Sequence, residues 1–138
     1  MNFKLPLSFY TRDVLDIAPE LPGKKLVLVR NGIKQDYIIT EVEAYRGEED
    51  LACHASKGRT PRTDIMYAEG GHIYMYLIYG MYWMFNIVTG PEHFPQAALI
   101  RGLQTINGPG RLTRDLGMDK SFHRESLITS DRIWLEMN

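Results

Sequence analysis

Glu41 and Glu43 stand one residue apart in the stretch YIITEVEAY, residues 37–45. Alternate side chains of an extended chain share a face. As a strand, this stretch puts Tyr37, Ile39, Glu41, Glu43 and Tyr45 on one side. A carboxylate beside aromatic rings is a candidate general base for activating water. Two solvated acids on an exposed strand face are the plainer reading of the same spacing, because buried acids are uncommon.

The segment IYMYLIYGMYWMFNIV, residues 73–88, concentrates Tyr74, Tyr76, Tyr79, Tyr82 and Trp83. Tyr74 and Tyr76 share a face, and Tyr79 falls at a Tyr-Gly turn. An exposed aromatic at a hairpin tip can wedge between stacked bases. Aromatics on the sheet can stack on an extruded base. A core hairpin accommodates the same residues. Asn86 is the odd polar residue here, and an amide inside an apolar strand is either satisfied structurally or reads a ligand.

Lys57, Arg59 and Arg62 form a basic cluster, and Arg111 and Arg114 lie near the start of a predicted helix. These suit phosphate contacts, and a solvated charged loop fits them as well. His54 has no partner at metal-ligand spacing, and HEXXH, CXXC and Gly-rich phosphate-loop patterns are absent. Cys53 adjoins His54, but neighbours in sequence rarely reach thiol–base geometry. No metal and no cofactor are expected.

These residues need a scaffold, and the chain supplies material for one. It has 138 residues, 44% hydrophobic and 24% charged, as in an ordinary globular domain. Eight Tyr, five Phe and two Trp are ample for recognition surfaces. The net charge of −1 excludes a uniformly basic nucleic-acid coat, so DNA binding would rest on a local patch. A single cysteine excludes an internal disulfide. MNFKLPLSFY lacks the apolar core of a signal peptide, and no run reaches the roughly 18 apolar residues of a membrane span.

The pattern predicts a helix over 8–18, stopped by Pro19 and Pro22, then a strand over 25–30. Asn31-Gly32 is a tight-turn signal, and the returning strand covers 37–45. A short helix is expected within 48–56 and a basic loop over 57–63. Strands follow over 72–78, 81–88 and 97–102. Asn107-Gly-Pro-Gly opens a helix to about Leu116, with Gly117 as its stop, and Ile133–Leu135 forms a last short strand. The sum is a single α+β domain spanning 1–138. Its curved, mostly antiparallel sheet is open and barrel-like, with flanking helices and a protruding β-hairpin.

Four ordered blocks carry a resemblance: TEVEAYRGEEDLACHASKGRTPR, IYMYLIYGMYWMFNIV, AALIRG and NGPGRLTRDLGMDKSF. Together they are similar to the alkyladenine (3-methyladenine) DNA glycosylase family, from Phe9 to about Leu127. The resemblance implies that Glu43 activates water and that Arg101 lies near that water. It implies a base pocket in which Tyr45 stacks on one face of the base and His54 on the other. Tyr76 is a second wall, Ala52 belongs to the same base-binding set, and Asn86 disfavours normal purines. Tyr79 fills the gap left by the base, and Lys57, Arg59, Arg62 and Arg111 are the phosphate candidates.

The implied activity is monofunctional hydrolysis of the N-glycosidic bond of 3-methyladenine, hypoxanthine or ethenoadenine, without a lyase step. The implied partner is double-stranded DNA with a damaged purine, in the cytoplasm or nucleoid of a prokaryote or the nucleus of a eukaryote. No membrane partner is expected. Two alternatives are a weak or inactive lesion-binding relative and a structural module that binds RNA or single strands. The family's stretch between the Arg101 strand and the NGPG helix is longer, and its terminal stretch past Trp134 completes the sheet. A monomer is expected, with possible self-association through a sheet edge that the shorter chain leaves exposed.

Overall fold

The computed structural model describes residues 4–48, 50 and 53–138. The strands are β1 (Lys25–Arg30), β2 (Ile33–Arg46), β3 (Ile73–Ile78), β4 (Tyr82–Thr89), β5 (Gln96–Leu103), β6 (Ile106–Asn107) and β7 (Ile133–Glu136). They form one antiparallel sheet in the order β3-β4-β5-β2-β1-β7, with β6 paired to β5. The α+β expectation holds, and the sheet is not closed.

Both tight turns are where the sequence puts them. Asn31 and Gly32 have φ of 52° and 76°, and Tyr79 and Gly80 have φ of 53° and 67°. Two successive left-handed residues match the twist of antiparallel strands. Asn31-Gly32 is suited to that geometry, whereas Tyr79 carries a bulky side chain into it.

The helix expected over 8–18 is broken. Two short turns replace it, α1 (Leu7–Tyr10) and α2 (Val14–Ile17), followed by a 3-10 turn at Ala18–Glu20. Asp13 is the cause: its backbone is extended, and its carboxylate accepts the Leu15 N–H as an N-cap. The helix expected within 48–56 is also absent among the described residues, where a 3-10 turn covers His54–Lys57. A second 3-10 turn covers Asp64–Tyr67. α3 (Pro109–Leu116) ends as expected at Gly117, which is left-handed with φ 69°.

β2 departs from simple alternation. Its register against β5 shifts between Ile39 and Glu41 and again between Glu41 and Val42. Ile39, Val42 and Ala44 consequently all pack on the main core, with Phe85, Ile87, Ala98 and Ile100. Glu43 and Tyr45 then emerge on the opposite face, separated from Tyr37 and Ile39. The shared face expected for all five residues is corrected by this irregularity, since one extra residue in a strand exchanges its faces. Glu41 is exposed at the shift itself.

The second face carries a smaller cluster of Cys53, Ala55, Ile65, Met66, Tyr67, Tyr74, Val88 and Ala97, flanked by Tyr45 and Tyr76. The segment after β2 thus lies over the sheet on the same side as Glu43. Both outer strands are covered in part. At one edge, the Leu5 N–H donates to the Leu135 carbonyl at 2.8 Å on β7. At the other edge, the Ile73 N–H donates to Glu125 O at 2.9 Å, and the Arg124 N–H donates to Ile73 O at 2.8 Å. Among the described residues no helix is long and apolar enough to cross a membrane.

Candidate active site

Cross-strand pairing assembles the site on the second face. Tyr74 of β3 pairs with Asn86 of β4, Asn86 with Leu99 of β5, and Leu99 with Glu43 of β2. Directly paired residues of antiparallel strands point to the same side. Residues distant in sequence therefore lie in one row, with Tyr45 and Ala97 in the next.

Tyr45, His54, Met66, Tyr74, Tyr76, Asn86 and Ala97 line a half-open cavity of about 70 Å³. His54 and Tyr76 meet ring to ring, with centroids 4.1 Å apart and planes at 65°. Tyr74 and Tyr76 are 5.4 Å apart and tilted by 40°. The Tyr74 hydroxyl is 2.8 Å from His54 Nδ1. Burial pushes the Tyr74 phenol up to about 12, opposed by the neighbouring Arg62 charge. Burial, and then the Glu43 carboxylate, also hold the Tyr45 phenol well above its ordinary value. Both hydroxyls are therefore neutral donors at physiological pH.

Asn86 is buried at the back of the cavity, 1% exposed. Its Nδ2 donates long bonds of 3.4 Å to the Tyr74 and Met84 carbonyls. No described residue donates to its side-chain oxygen. The amide is thus held by the backbone on one side and offers an acceptor on the other.

Glu43 is not buried. Its side chain is 43% exposed, and Arg101 is 41% exposed. The carboxylate is held from two directions: the Tyr45 hydroxyl donates to Oε2 at 2.7 Å, and Arg101 approaches Oε1 at 3.2 Å. Tyr45 belongs both to this triad and to the cavity wall. A reacting bond at the cavity mouth would meet a fixed negative charge open to water.

The remaining residues are more dispersed. Tyr79 projects from the β3–β4 tip and is 87% exposed, with Met81 and Tyr82 also exposed nearby. α3 packs beside this hairpin: the Thr113 hydroxyl donates to Trp83 O at 2.7 Å, and a Cβ on Gly110 would lie 2.9 Å from Tyr82 Cδ1. Only glycine allows that approach, which carries exposed Arg111 close to the hairpin. Arg59 pairs with Asp64 at 2.6 Å, so its charge is locally offset. Arg62 lies 5.7 Å from the Tyr76 ring centre, against the cavity wall. Ala52 and the Lys57 side chain lie outside the described residues.

Sequence reasoning missed three lining residues. Tyr74 was visible as the same-face neighbour of Tyr76 but had no assigned role. Met66 and Ala97 are apolar residues without a pattern of their own, and only packing brings them to the wall. Among the described residues no group of three metal-ligating side chains is assembled.

Known proteins resemble this chain over most of its length. The methylpurine-DNA glycosylase family model matches residues 8–107. A Rickettsia felis protein named "Putative 3-methyladenine DNA glycosylase" is 46% identical over 138 residues, covering 95% of this chain and 76% of that protein. A Bacillus cereus strain AH187 protein of the same name is 42% identical over 158 residues, covering 96% and 77%. A Myxococcus xanthus protein, again of that name, is 44% identical over 138 residues, covering 94% and 71%. The match runs through β2, the aromatic hairpin and β5, the three segments that build the cavity and its acid. This chain belongs to the methylpurine-DNA glycosylase family.

Proposed function

We propose that this protein extrudes a damaged purine from duplex DNA and hydrolyses its N-glycosidic bond at the Glu43–Tyr45–Arg101 triad. The observation that carries the reading is the position of Glu43. It is ion-paired, water-accessible, and joined through Tyr45 to an aromatic cavity. A pure binding module has no use for an acid held in that way.

In this reading the base stacks among Tyr45, His54 and Tyr76, while Tyr79 occupies the gap left in the duplex. Extrusion costs a few kcal/mol, less for a damaged pair. A water at Glu43 loses a proton to the carboxylate as its oxygen bonds to C1′. The C1′–N bond breaks, and its electron pair leaves with the base. The carboxylate also stabilises the positive charge that builds on the sugar, and Arg101 and Tyr45 hold it in place. A cationic alkylpurine such as 3-methyladenine departs as a neutral base. Hypoxanthine or ethenoadenine needs a proton from elsewhere. Among the described residues no amine lines the cavity, which supports water as the nucleophile and a monofunctional reaction.

Asn86 fits a role in rejecting normal purines, because it is buried in the cavity wall and its side-chain oxygen has no donor among the described residues. Lys57, Arg59, Arg62 and Arg111 remain the phosphate candidates. The test is single-turnover base release from duplexes carrying each lesion. Glu43→Gln should retain lesion binding and lose about 10²-fold or more in release, the scale of a lost acid–base group. Unchanged release would remove Glu43 from the mechanism. Binding without release in the unmodified protein would favour a lesion-binding role instead.

A further inference from the structure

β3 is the outermost strand on its side of the sheet, and alternate residues of such a strand turn their backbone polar groups outward. Here these are Ile73, Met75 and Leu77. The Arg124 N–H donates to Ile73 O at 2.8 Å, the Met75 N–H to His123 Nδ1 at 3.0 Å, and Arg62 Nη2 to Leu77 O at 3.4 Å. Arg124 and Arg62 are thus anchored to one strand edge, about 13 Å apart at roughly 3.3 Å per residue. Just beyond Leu77 the same strand reaches exposed Tyr79 at the hairpin tip.

Asp64 draws the Arg124 side chain toward the face that carries the cavity. It opens the 3-10 turn whose Met66 lines the cavity. Its Oδ1 accepts from Arg59 Nε at 2.6 Å, and its Oδ2 lies 3.6 Å from Arg124 Nη2. One carboxylate cannot neutralise two guanidiniums. Arg59 holds it at the shorter distance, so positive charge is left over at Arg124, whose side chain is 50% exposed. The Arg124 backbone has φ 77°, a left-handed conformation that glycine or asparagine adopts more readily. An arginine kept in that position points to a use for its side chain.

We propose that Arg124 is a DNA phosphate contact, and that Asp64 positions it in line with Arg59 and Arg62 along the outer edge of β3. The three guanidiniums form a track for one strand of the duplex, running to the Tyr79 tip. Its length matches roughly four base steps at about 3.4 Å each along one strand. Contacts of this kind fix the register of a protein on the duplex without reading its sequence. That DNA is the ligand rests on the proposed function, whereas the hydrolytic step does not enter.

Fluorescence-anisotropy titration of an undamaged duplex over a series of salt concentrations tests this, with thermal melting of the same preparations. Arg124→Asn removes the charge and suits the left-handed backbone. It should reduce the salt slope by about one unit and weaken binding equally on different sequences, with no fall in melting temperature. Arg124→Lys keeps the charge and should recover the slope. Asp64→Asn frees both arginines and should tighten binding and steepen the slope. An unchanged slope in folded Arg124→Asn overturns the inference, and so does weaker binding by folded Asp64→Asn. Base release by the unmodified protein and by Glu43→Gln is read separately. Release that depends on Glu43, with an unchanged Arg124→Asn slope, refutes only the track. A shifted slope with release that ignores Glu43 refutes only the enzymatic reading.

Discussion

Tyr79→Asn should make the protein more stable and a poorer DNA binder at once. Tyr79 has φ 53°, a left-handed conformation that costs an L-residue roughly 1–2 kcal/mol. Asparagine tolerates that region far better than a bulky aromatic. The Tyr79 side chain is 87% exposed, so its removal gives up almost no burial. The net gain in folding is therefore up to about 1 kcal/mol, or roughly 3–4 °C in Tm for a chain of this length. Stacking of an aromatic against a base is worth about 1–3 kcal/mol. At about 1.4 kcal/mol per tenfold, affinity for a lesion-containing duplex should fall by roughly 5- to 150-fold. Thermal melting and fluorescence-anisotropy titration of the same preparations measure both. A lower Tm with unchanged affinity would refute the reasoning, because Tyr79 would then be packed and not a strained residue held for contact.

Two further outcomes follow from charge. Burial, and then the Arg124 charge, depress His123, whose Nδ1 accepts the Met75 N–H at 3.0 Å. The unfolded chain therefore takes up this proton at higher pH than the folded one. The stability contributed by His123 is complete above the ordinary imidazole range and is lost as pH falls through that range toward the depressed folded value. His123→Gln should flatten that part of the difference curve, and a curve parallel to that of the unmodified protein would count against the linkage. Neutralising Arg111, which has no ion pair among the described residues, should lower the salt slope of DNA binding by about one unit. Arg59→Ala should lower it less, since Asp64 already offsets that charge at 2.6 Å; equal slopes for both variants would contradict the distinction.

Local chemistry was legible in the sequence wherever a few adjacent residues decide the structure. Asn31-Gly32 and Tyr79-Gly80 set two tight turns, and Gly108-Pro109 and Gly117 bracket α3. Apolar runs marked β1, β3, β4 and β5 as strands. The resemblance marked the residues to follow, from Glu43 and Tyr45 to Asn86 and Arg101. The first helix failed because Asp13 competes as a cap, a choice that apolar spacing does not register.

Tertiary structure decided which of those residues meet. The irregularity at Ile39–Val42 of β2 turns Glu43 and Tyr45 away from Tyr37 and Ile39. It is created by pairing with β5, some 60 residues further along the chain, and β2 alone carries no sign of it. The same pairing places Arg101 3.2 Å from Glu43, so the acid is both exposed and ion-paired, a combination that the spacing of Glu41 and Glu43 alone does not reveal. Tyr74 meets His54 only when the segment after β2 folds over the sheet and brings the imidazole to its hydroxyl. Residue types and turns follow from short-range sterics and hydrogen bonding. Cross-strand register and contacts between distant side chains depend on partners that only the folded sheet brings together.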